Sequence, residues 1–371
     1  MKAVILAGGK GTRLRPITYQ NPKPMLPLVN RPFMENFILW LKHYKIEDII
    51  LSTCYLPEVF EKYFGDGQEL GVSLRYETES CPLGTCGAVK NLESYLGNES
   101  FMVFNGDILT SLNLKQMIAF HKKNKADITI SLTPVEDPTA YGLVPIDKEG
   151  RVTEFLEKPS LDEINTNLIN AGTYIIEPHI LGLAPQGENY SFERGLFPKA
   201  LRNEYRIFGY VSNAYWLDVG TPKKYLGAHF DILDRKIKLD LGYKKKMQNI
   251  FIGKDVKYEK SSLNMGPLVV GDRTFIEKGA TILPQTVIGE DCHVGEGTSI
   301  SSSVIFPGVK IGKNCNIKEA IISKNVTIGD NVKVEDVSVI GDDSVIGDDN
   351  ILKHGVKINV GTKLKKDSVK F

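Results

Sequence analysis

The sequence predicts an α/β protein whose first part is a sheet covered by helices and whose second part is a parallel β-helix. Three observations lead to this fold class. Short apolar runs alternate with stretches of helical length up to about residue 230. Aliphatic residues then recur every six positions to the end of the chain, and a basic, strand-poor stretch separates the two patterns. Two such different periods indicate two different architectures.

The first part contains six short apolar runs that read as strands. A helical-length stretch between successive strands is typical of βαβ units, in which the sheet is mostly parallel. We therefore expect a Rossmann-like domain with a mixed, mostly parallel sheet over residues 1–235. The expected strands are Ala3–Ala7, Asp48–Thr53, Ser73–Glu77, Phe101–Asn105, Ile128–Leu132 and Ala171–Ile176.

The second part follows a predicted linker over residues 236–250 and covers residues 251–371. Neither a 3.6-residue helix nor an alternating hairpin repeats every six residues, whereas a solenoid with three short flat sides per turn does. Glycines in this part are expected at the corners, where the backbone must be permissive. These corner glycines are Gly312, Gly329, Gly341 and Gly347. The repeating aliphatic positions are Val270, Ile276, Ile282, Ile288, Val294, Ile300, Ile305, Ile311, Ile317, Ile322, Ile328, Val334, Ile340, Ile346, Leu352, Ile358 and Leu364.

Composition excludes several classes of protein. With 46 basic and 45 acidic residues the chain has almost no net charge, which argues against nucleic acid or an anionic membrane as a partner. No apolar run reaches membrane-spanning length, and the start lacks a secretory signal, so we expect a cytoplasmic protein. The five cysteines form no CxxC pair, which argues against a disulfide framework or a zinc site.

The stretch LAGGKGTRLRPITYQNPKPMLP, residues 6–27, is the first candidate site. It does not contain the GxxxxGK[ST] pattern of a Walker loop. It is not a dinucleotide fingerprint either, because Leu14 stands where the third glycine of GxGxxG would be. Bare glycine amides can approach a phosphate, and Arg13, Arg15 and Lys23 would then face a polyanion. The alternative is an ordinary tight turn between a strand and a helix.

These residues resemble a known family. GGKGTRLRP with NPKP is similar to the signature of sugar-1-phosphate nucleotidyltransferases, and the six-residue repeat resembles the hexapeptide-repeat, left-handed parallel β-helix. The handedness is taken from this resemblance. Together the matching segments cover nearly the whole chain. The further segments are CPLGTCGAVKN (81–91), FNGD (104–107), YGLV (141–144), EFLEKP (154–159), NAGTYIIEP (170–178) and YWLDVGTPKKY (215–225).

The resemblance implies a site in which a sugar 1-phosphate attacks the α-phosphorus of a nucleoside triphosphate. Arg13 would contact the β- and γ-phosphates and Lys23 the α-phosphate, while Asp107 and Asp218 would hold Mg²⁺. The implied nucleotide-binding residues are Leu6, Ala7, Gly8, Gly9, Gly11, Thr12, Glu79, Leu83, Gly84 and Thr85. The implied sugar-phosphate-binding residues are Gly142, Glu157, Lys158, Asn170 and Gly172. For each side chain a plain structural role, such as a turn glycine, a capping aspartate or a solvated charge, stays open.

The identity of the base and of the sugar is the hardest part of the function to predict from the sequence. Guanine presents N1–H and N2–H₂ side by side, which one carboxylate can accept together, so Glu79, or failing that Glu77, favours guanine. Gly84 is expected against the base plane. The segments KPMLPLVNRP, YFGDGQELGV and LGTCGAVKN resemble bacterial members that transfer a guanylyl group to mannose 1-phosphate. GTP and mannose 1-phosphate are therefore the favoured substrates. A glucose-1-phosphate uridylyl-, thymidylyl- or adenylyltransferase is the alternative.

Two other classes of function are weighed against this one. Hexapeptide acyltransferases generally use a histidine from the coil, and here only His293 and His354 lie in it. A regulatory paralogue that binds nucleotide sugars without turnover is the other possibility, although the retained cations and aspartates favour activity. The flat sides of a β-helix suit assembly, so we expect a homo-oligomer formed through this domain.

Overall fold

The structure is a computed structural model that describes residues 1–79, 81–157, 160, 162, 164–246, 249–259, 262–263 and 265–370. The chain forms two compact units, Met1–Gly9 with Phe37–Trp216, and Lys10–Asn36 with Leu217–Phe371. The glycine loop, residues 8–11, therefore runs from the first unit into the second between Gly9 and Lys10. The domain boundaries at 235 and 250 stay a prediction.

The strands and helices before the coil follow the predicted alternation. None of the described helices is long and apolar enough to cross a membrane. The strands are β1 (Ala3–Leu6), β2 (Pro27–Leu28), β3 (Arg31–Pro32), β4 (Asp48–Thr53), β5 (Ser73–Thr78), β6 (Phe101–Asn105), β7 (Ile108–Thr110), β8 (Ile128–Pro134), β9 (Gly142–Leu143), β10 (Leu156–Glu157), β11 (Leu168–Ile176), β12 (Ile207–Val211) and β13 (Trp216–Asp218). The helices are α1 (Phe33–His43), α2 (Pro57–Phe64), α3 (Gly84–Asn91), α4 (Glu93–Leu96), α5 (Leu114–Lys123), α6 (Phe197–Arg202) and α7 (Pro222–Leu233).

The first unit is built on one mixed sheet, with the order β10-β9-β11-β6-β1-β4-β5 and with β8 joining β11 to β12. The strands β6, β1, β4 and β5 are mutually parallel, whereas β11 runs antiparallel to both β6 and β8. All six strands expected from apolar runs are present, so the predicted fold class is confirmed. Val4, Val103 and Ile130 are fully buried in the core of this sheet.

The described strands of the coil in the second unit form three parallel sheets, with the orders β14-β15-β16-β19-β22-β25-β28-β31, β17-β20-β23-β26-β29-β32 and β18-β21-β24-β27-β30, and β14 is antiparallel to its neighbour. Its strands are β14 (Lys244–Lys245), β15 (Ile250–Ile252), β16 (Leu268–Val270), β17 (Phe275–Ile276), β18 (Thr281–Ile282), β19 (Thr286–Ile288), β20 (His293–Val294), β21 (Ser299–Ser301), β22 (Val304–Ile305), β23 (Lys310–Ile311), β24 (Asn316–Lys318), β25 (Ile321–Ile322), β26 (Thr327–Ile328), β27 (Lys333–Val334), β28 (Val339–Ile340), β29 (Val345–Ile346), β30 (Ile351–Leu352), β31 (Lys357–Ile358) and β32 (Lys363–Leu364). Every predicted aliphatic position lies in one of these strands. Those up to Leu352 are buried in one core, against which Ile358 and Leu364 pack.

The reason given above for the corner glycines is wrong. Gly312, Gly329, Gly341 and Gly347 do not have left-handed backbones. Instead, a Cβ added to any of them would lie within 2.8 Å of an atom of the next coil. These glycines are required by the close approach of successive coils. Left-handed corners are taken by residues such as Asn331, whose side chain donates to Asp349 in the next coil (3.0 Å).

Candidate active site

The glycine loop leaves the sheet at the end of β1. Leu6 is paired between β4 and β6, and the Ala7 N–H still donates into β4 (2.8 Å). A Cβ added at Gly8 would lie 3.2 Å from the Cβ of Cys54, whereas one added at Gly9 would meet no atom within 4 Å. Gly8 therefore allows a close approach to the end of β4, and Gly9 leaves its backbone open to a ligand.

Glu79 lies beside this loop with a fixed carboxylate. Its Oε1 accepts a hydrogen bond from the Ser52 hydroxyl (3.1 Å), and its Oε2 accepts one from the Leu83 N–H (2.8 Å). A Cβ added at Gly8 would lie 3.6 Å from the same Oε1. Each oxygen still has a lone pair for a ligand. Glu77, the alternative, accepts a longer bond from a side chain of α3 (3.4 Å).

The segment that follows Glu79 packs tightly against residues 190–193. Gly84 has a left-handed backbone (φ 70°), and a Cβ there would lie 2.8 Å from the Tyr190 carbonyl oxygen. A glycine is thus required by the packing of the chain itself, whatever ligand lies near it. The Thr85 hydroxyl donates to Glu193 (3.2 Å) and accepts from the Phe192 N–H (2.9 Å), so this hydroxyl is already engaged within the protein.

Asp107 lies in the turn between β6 and β7 and is half-buried. The preceding Gly106 N–H donates to the Leu6 carbonyl (2.9 Å), and a Cβ on Gly106 would lie 2.8 Å from that oxygen. Because β1 and β6 are parallel neighbours, Asp107 and the start of the glycine loop follow the same edge of the sheet.

The predicted sugar-binding residues fall on three adjacent strands. Gly142 in β9 is paired with Glu157 in β10, and β9 also pairs with β11, which carries Asn170 and Gly172. Gly172 is left-handed (φ 70°), and a Cβ on it would lie 2.6 Å from a side chain of β6. Lys158, the remaining prediction, lies outside the described residues.

A part-buried hydrogen-bond chain holds Asn170. Its Oδ1 accepts from the Gly172 N–H (2.9 Å), and its Nδ2 donates to the Tyr174 hydroxyl (2.9 Å). Tyr174 in turn donates to Oε1 of Glu193 (3.1 Å), whose Oε2 receives the Thr85 hydroxyl. Burial holds the pKa of Tyr174 well above its ordinary value, so the phenol stays a donor. Asn170 and Thr85, which were predicted to bind the sugar phosphate and the nucleotide, are therefore joined through side chains.

The second unit carries the cations of the opening stretch. Arg13 belongs to a 3₁₀ turn over Thr12–Leu14, and its side chain is exposed. Gly11 before it is left-handed (φ 59°), its carbonyl accepts from the Thr18 hydroxyl (2.9 Å), and a Cβ on it would lie 3.1 Å from the Cβ of Lys23. The bend at Gly11 thus packs directly on Lys23, which is buried.

Three cations surround Asp218. The Lys23 Nζ lies 3.7 Å from its Oδ1, and the Lys224 Nζ lies 3.3 Å from its Oδ2. A Cβ added at Gly220 would lie 2.6 Å from Nη2 of Arg13 and 3.0 Å from Oδ1 of Asp218. Cationic side chains thus gather around Asp218, an arrangement that suits a polyanionic ligand.

Sequence reasoning missed Lys224, Tyr174 and Glu193. Lys223 and Lys224 are adjacent, and only the way α7 begins decides which of them reaches Asp218. A tyrosine within a buried apolar strand was a usable signal for Tyr174, because a buried hydroxyl needs a partner. Arg15 is one of the three cations predicted to face a polyanion. Its guanidinium lies over the Tyr19 ring, 4.8 Å from the ring centroid.

Comparison with known proteins identifies the family. Residues 2–235 match the family model described as nucleotidyl transferase. The chain belongs to the nucleotidyl transferase family. Residues 247–352 match the left-handed β-helix (LbH) domain of EIF2B subunit epsilon, in agreement with the predicted hand of the coil.

Relatives of this nucleotidyl transferase extend over both parts. It is 39% identical over 317 residues to a mannose-1-phosphate guanylyltransferase of Mycobacterium tuberculosis, covering 85% of this chain and 82% of the relative. It is 32% identical over 337 residues to a UTP-glucose-1-phosphate uridylyltransferase of Synechocystis, covering 87% of each. The crystal structure of HddC from Yersinia pseudotuberculosis complexed with GMP-PN has a TM-score of 0.54 and 32% identity, covering 61% of this chain and 97% of HddC. The family implies nucleotide and sugar phosphate substrates and, in general, a divalent metal ion.

Proposed function

We propose that this nucleotidyl transferase transfers the guanylyl group of GTP to mannose 1-phosphate, releasing pyrophosphate and forming GDP-mannose. The mannose-1-phosphate guanylyltransferase relative, which covers 85% of the chain, supports the choice of both substrates. On the side of the structure, the observation that carries the choice of base is the Glu79 carboxylate, fixed at both oxygens beside Gly8.

The base preference follows from hydrogen-bond donors. Guanine offers N1–H and one N2–H on the same edge, and the two remaining lone pairs of Glu79 can accept both. Uracil and thymine offer one ring N–H between two carbonyl oxygens, which a carboxylate repels. Glu79 therefore favours guanine over either pyrimidine.

The proposed reaction needs no protein nucleophile. A phosphate oxygen of mannose 1-phosphate forms a bond to the α-phosphorus of GTP while the bond from that phosphorus to the β-bridging oxygen breaks, and pyrophosphate leaves in line. Catalysis then depends on bringing anions together. We assign Arg13 to the β- and γ-phosphates, Lys23 to the α-phosphate, and the backbone of Gly8, Gly9, Gly11 and Thr12 to the cradle around them.

Mg²⁺ is compatible with the residues present. In the described part of the chain no group of three or more His, Cys, Asp or Glu side chains forms a protein cage for a metal ion. Mg²⁺ needs no such cage, because it takes one or two carboxylates and completes its shell with phosphate oxygens and water. We propose that Asp107 and Asp218 supply those carboxylates. When bound, the ion would neutralise charge on the triphosphate.

For the sugar phosphate we propose Gly142, Glu157, Lys158, Asn170 and Gly172. Asn170 uses one lone pair on Oδ1 and one hydrogen on Nδ2 within the protein, which leaves an acceptor and a donor for sugar hydroxyls. Because Tyr174 and Gly172 fix the amide, these two groups are already oriented before the sugar binds.

A second candidate is a glucose-1-phosphate uridylyltransferase, favoured by the relative from Synechocystis. Pyrophosphate release measured with GTP, ATP, UTP and dTTP against the 1-phosphates of mannose, glucose and N-acetylglucosamine separates the candidates. GTP with mannose 1-phosphate should give the highest kcat/KM. Any other best pair contradicts the proposed specificity.

Glu79→Gln tests how the base is read. The amide keeps only one acceptor, so kcat/KM for GTP should fall about 10- to 100-fold, as expected for the loss of a hydrogen bond to a charged group, with little change for UTP. Glu77→Gln is the matched control, since its carboxylate lies two residues away on β5. If instead only Glu77→Gln lost kcat/KM for GTP, Glu77 would be the residue that binds the base. If neither variant lost kcat/KM for GTP, recognition of the base by either carboxylate would be refuted.

Assembly and location stay predictions. We propose the β-helix as the assembly surface of a homo-oligomer, and two exposed apolar side chains on one of its sheets, Phe275 and Val345, support this. The cytoplasmic location rests on the sequence alone.

A further inference from the structure

We infer that Lys357, a lysine of the β-helix, is a positioning residue for the phosphate-binding turn around Arg13. The Lys357 Nζ donates to the Arg13 carbonyl oxygen at 3.1 Å, although the two residues are 344 positions apart in the chain. Both residues belong to the second compact unit. This inference rests on the proposed function, because it takes Arg13 as a phosphate ligand.

The sequence explains why the Arg13 carbonyl has no donor within its own turn. In a 3₁₀ turn each carbonyl accepts from the N–H three residues later. The Gly11, Thr12 and Leu14 carbonyls do so, with N–H groups of residues 14, 15 and 17. The Arg13 carbonyl would require the N–H of residue 16, which is proline and has none. Lys357 supplies the donor that Pro16 lacks.

The position of Lys357 in the coil is equally specific. It ends a row of outward-facing residues on the sheet from β16 to β31, in which each residue is registered with the next. The row consists of Val269, Val287, Val304, Ile321, Val339 and Lys357. Its apolar members are buried but lie outside the core cluster of the coil, whereas Lys357 is exposed. An apolar row that ends in a lysine places one charged donor at the Arg13 turn.

Other contacts in the second unit show that this side of the coil supports the same segment. The Lys324 Nζ donates to Oδ1 of Asn21 (3.4 Å), and Nδ2 of Asn30 donates to the Ile288 carbonyl (2.7 Å). Asn21 and Asn30 both lie in Lys10–Asn36, which also contains Arg13 and Lys23. The coil thus contacts the segment Lys10–Asn36 at several points, and Lys357 donates a hydrogen bond to Arg13 itself.

The test compares Lys357→Met, Lys357→Arg and the matched control Lys363→Met in the full chain. Lys363 has the same place in the following strand, β32, but lies on a different sheet of the coil and is exposed. We expect Lys357→Met to raise KM for GTP and the directly measured Kd for GTP three- to tenfold. KM for mannose 1-phosphate and the thermal midpoint should stay unchanged. Lys357→Arg should recover most of the loss, and Lys363→Met should match the wild type.

Two outcomes would overturn the inference: an unchanged Kd for GTP in Lys357→Met, or equal losses for both substrates with a lower thermal midpoint, which would indicate a merely structural role. Failure of the proposed function looks different, because it appears in the wild type as a preference for another pair of substrates or as no turnover. The Kd comparison is then made with the preferred triphosphate, or with GTP if there is no turnover.

Discussion

At the scale of single residues, His229 shows how burial sets a charge state. It is fully buried in α7, and its Nδ1 accepts a hydrogen bond from the Val29 N–H (3.3 Å). Desolvation lowers its pKa from 6.5 to about 3. The imidazole is therefore neutral in the folded protein at every pH well above 3.

This burial makes stability depend on pH. As the pH falls below 6.5, the unfolded chain takes up a proton at His229 and the folded chain does not, so the free energy of unfolding decreases until about pH 3. Between pH 7 and 5 the loss is about 2 kcal/mol from this residue. His229→Asn, which keeps an acceptor, should show a smaller loss between pH 7 and 5 in urea unfolding than the wild type. The control variant His354→Asn, at an exposed position, should lose as much stability as the wild type. If the free energy of unfolding changed equally with pH in all three proteins, the effect would not come from His229.

At the scale of elements, β11 and α3 are linked through Tyr174 and Glu193. Tyr174→Phe removes the hydroxyl that orients Asn170 and takes this partner away from the half-buried Asn170 amide and Glu193 carboxylate. KM for the sugar 1-phosphate should rise about three- to tenfold with KM for GTP unchanged, and the free energy of unfolding should fall by about 1–3 kcal/mol. Steady-state kinetics and urea unfolding measure the two effects.

Tyr210→Phe is the control for that experiment. Its hydroxyl donates to Gln116 at the surface (3.3 Å), so its removal should change neither constant. Unchanged binding of the sugar phosphate by Tyr174→Phe would show that Asn170 is oriented without the tyrosine.

The elements themselves could be predicted because each follows from a local pattern. Apolar runs such as Phe101–Asn105 and Asp48–Thr53 became the expected strands, and the six-residue lattice became three parallel sheets. The roles of Lys224 and Glu193 could not be predicted, because they depend on which side chains meet after folding. Lys357 is the extreme case, since its partner lies at the other end of the chain.

The glycines show the same limit of prediction from the sequence. The sequence indicated which glycines are important, but not which contacts require a glycine at each position. A Cβ at Gly84 would clash with the Tyr190 carbonyl, and a Cβ at Gly347 would clash with the backbone of the next coil. Both reasons are contacts between segments that no local pattern encodes.

At the scale of the whole molecule, the groups proposed for catalysis are divided between the two compact units. Asp107 belongs to the first, whereas Arg13, Lys23 and Asp218 belong to the second together with the β-helix. The β-helix thus belongs to the same compact unit as the cations that we propose bind the phosphates.

The most direct measurement is pyrophosphate release by Arg13→Met and Asp107→Asn, one variant in each unit, with Arg202→Met as a control at an exposed surface site. We predict that each of the first two lowers kcat/KM at least about 100-fold, roughly 3 kcal/mol, with unchanged thermal midpoints, while the control matches the wild type. Wild-type turnover by either folded variant would contradict the claim that fixed cations and a carboxylate-held ion bring the two anionic substrates together.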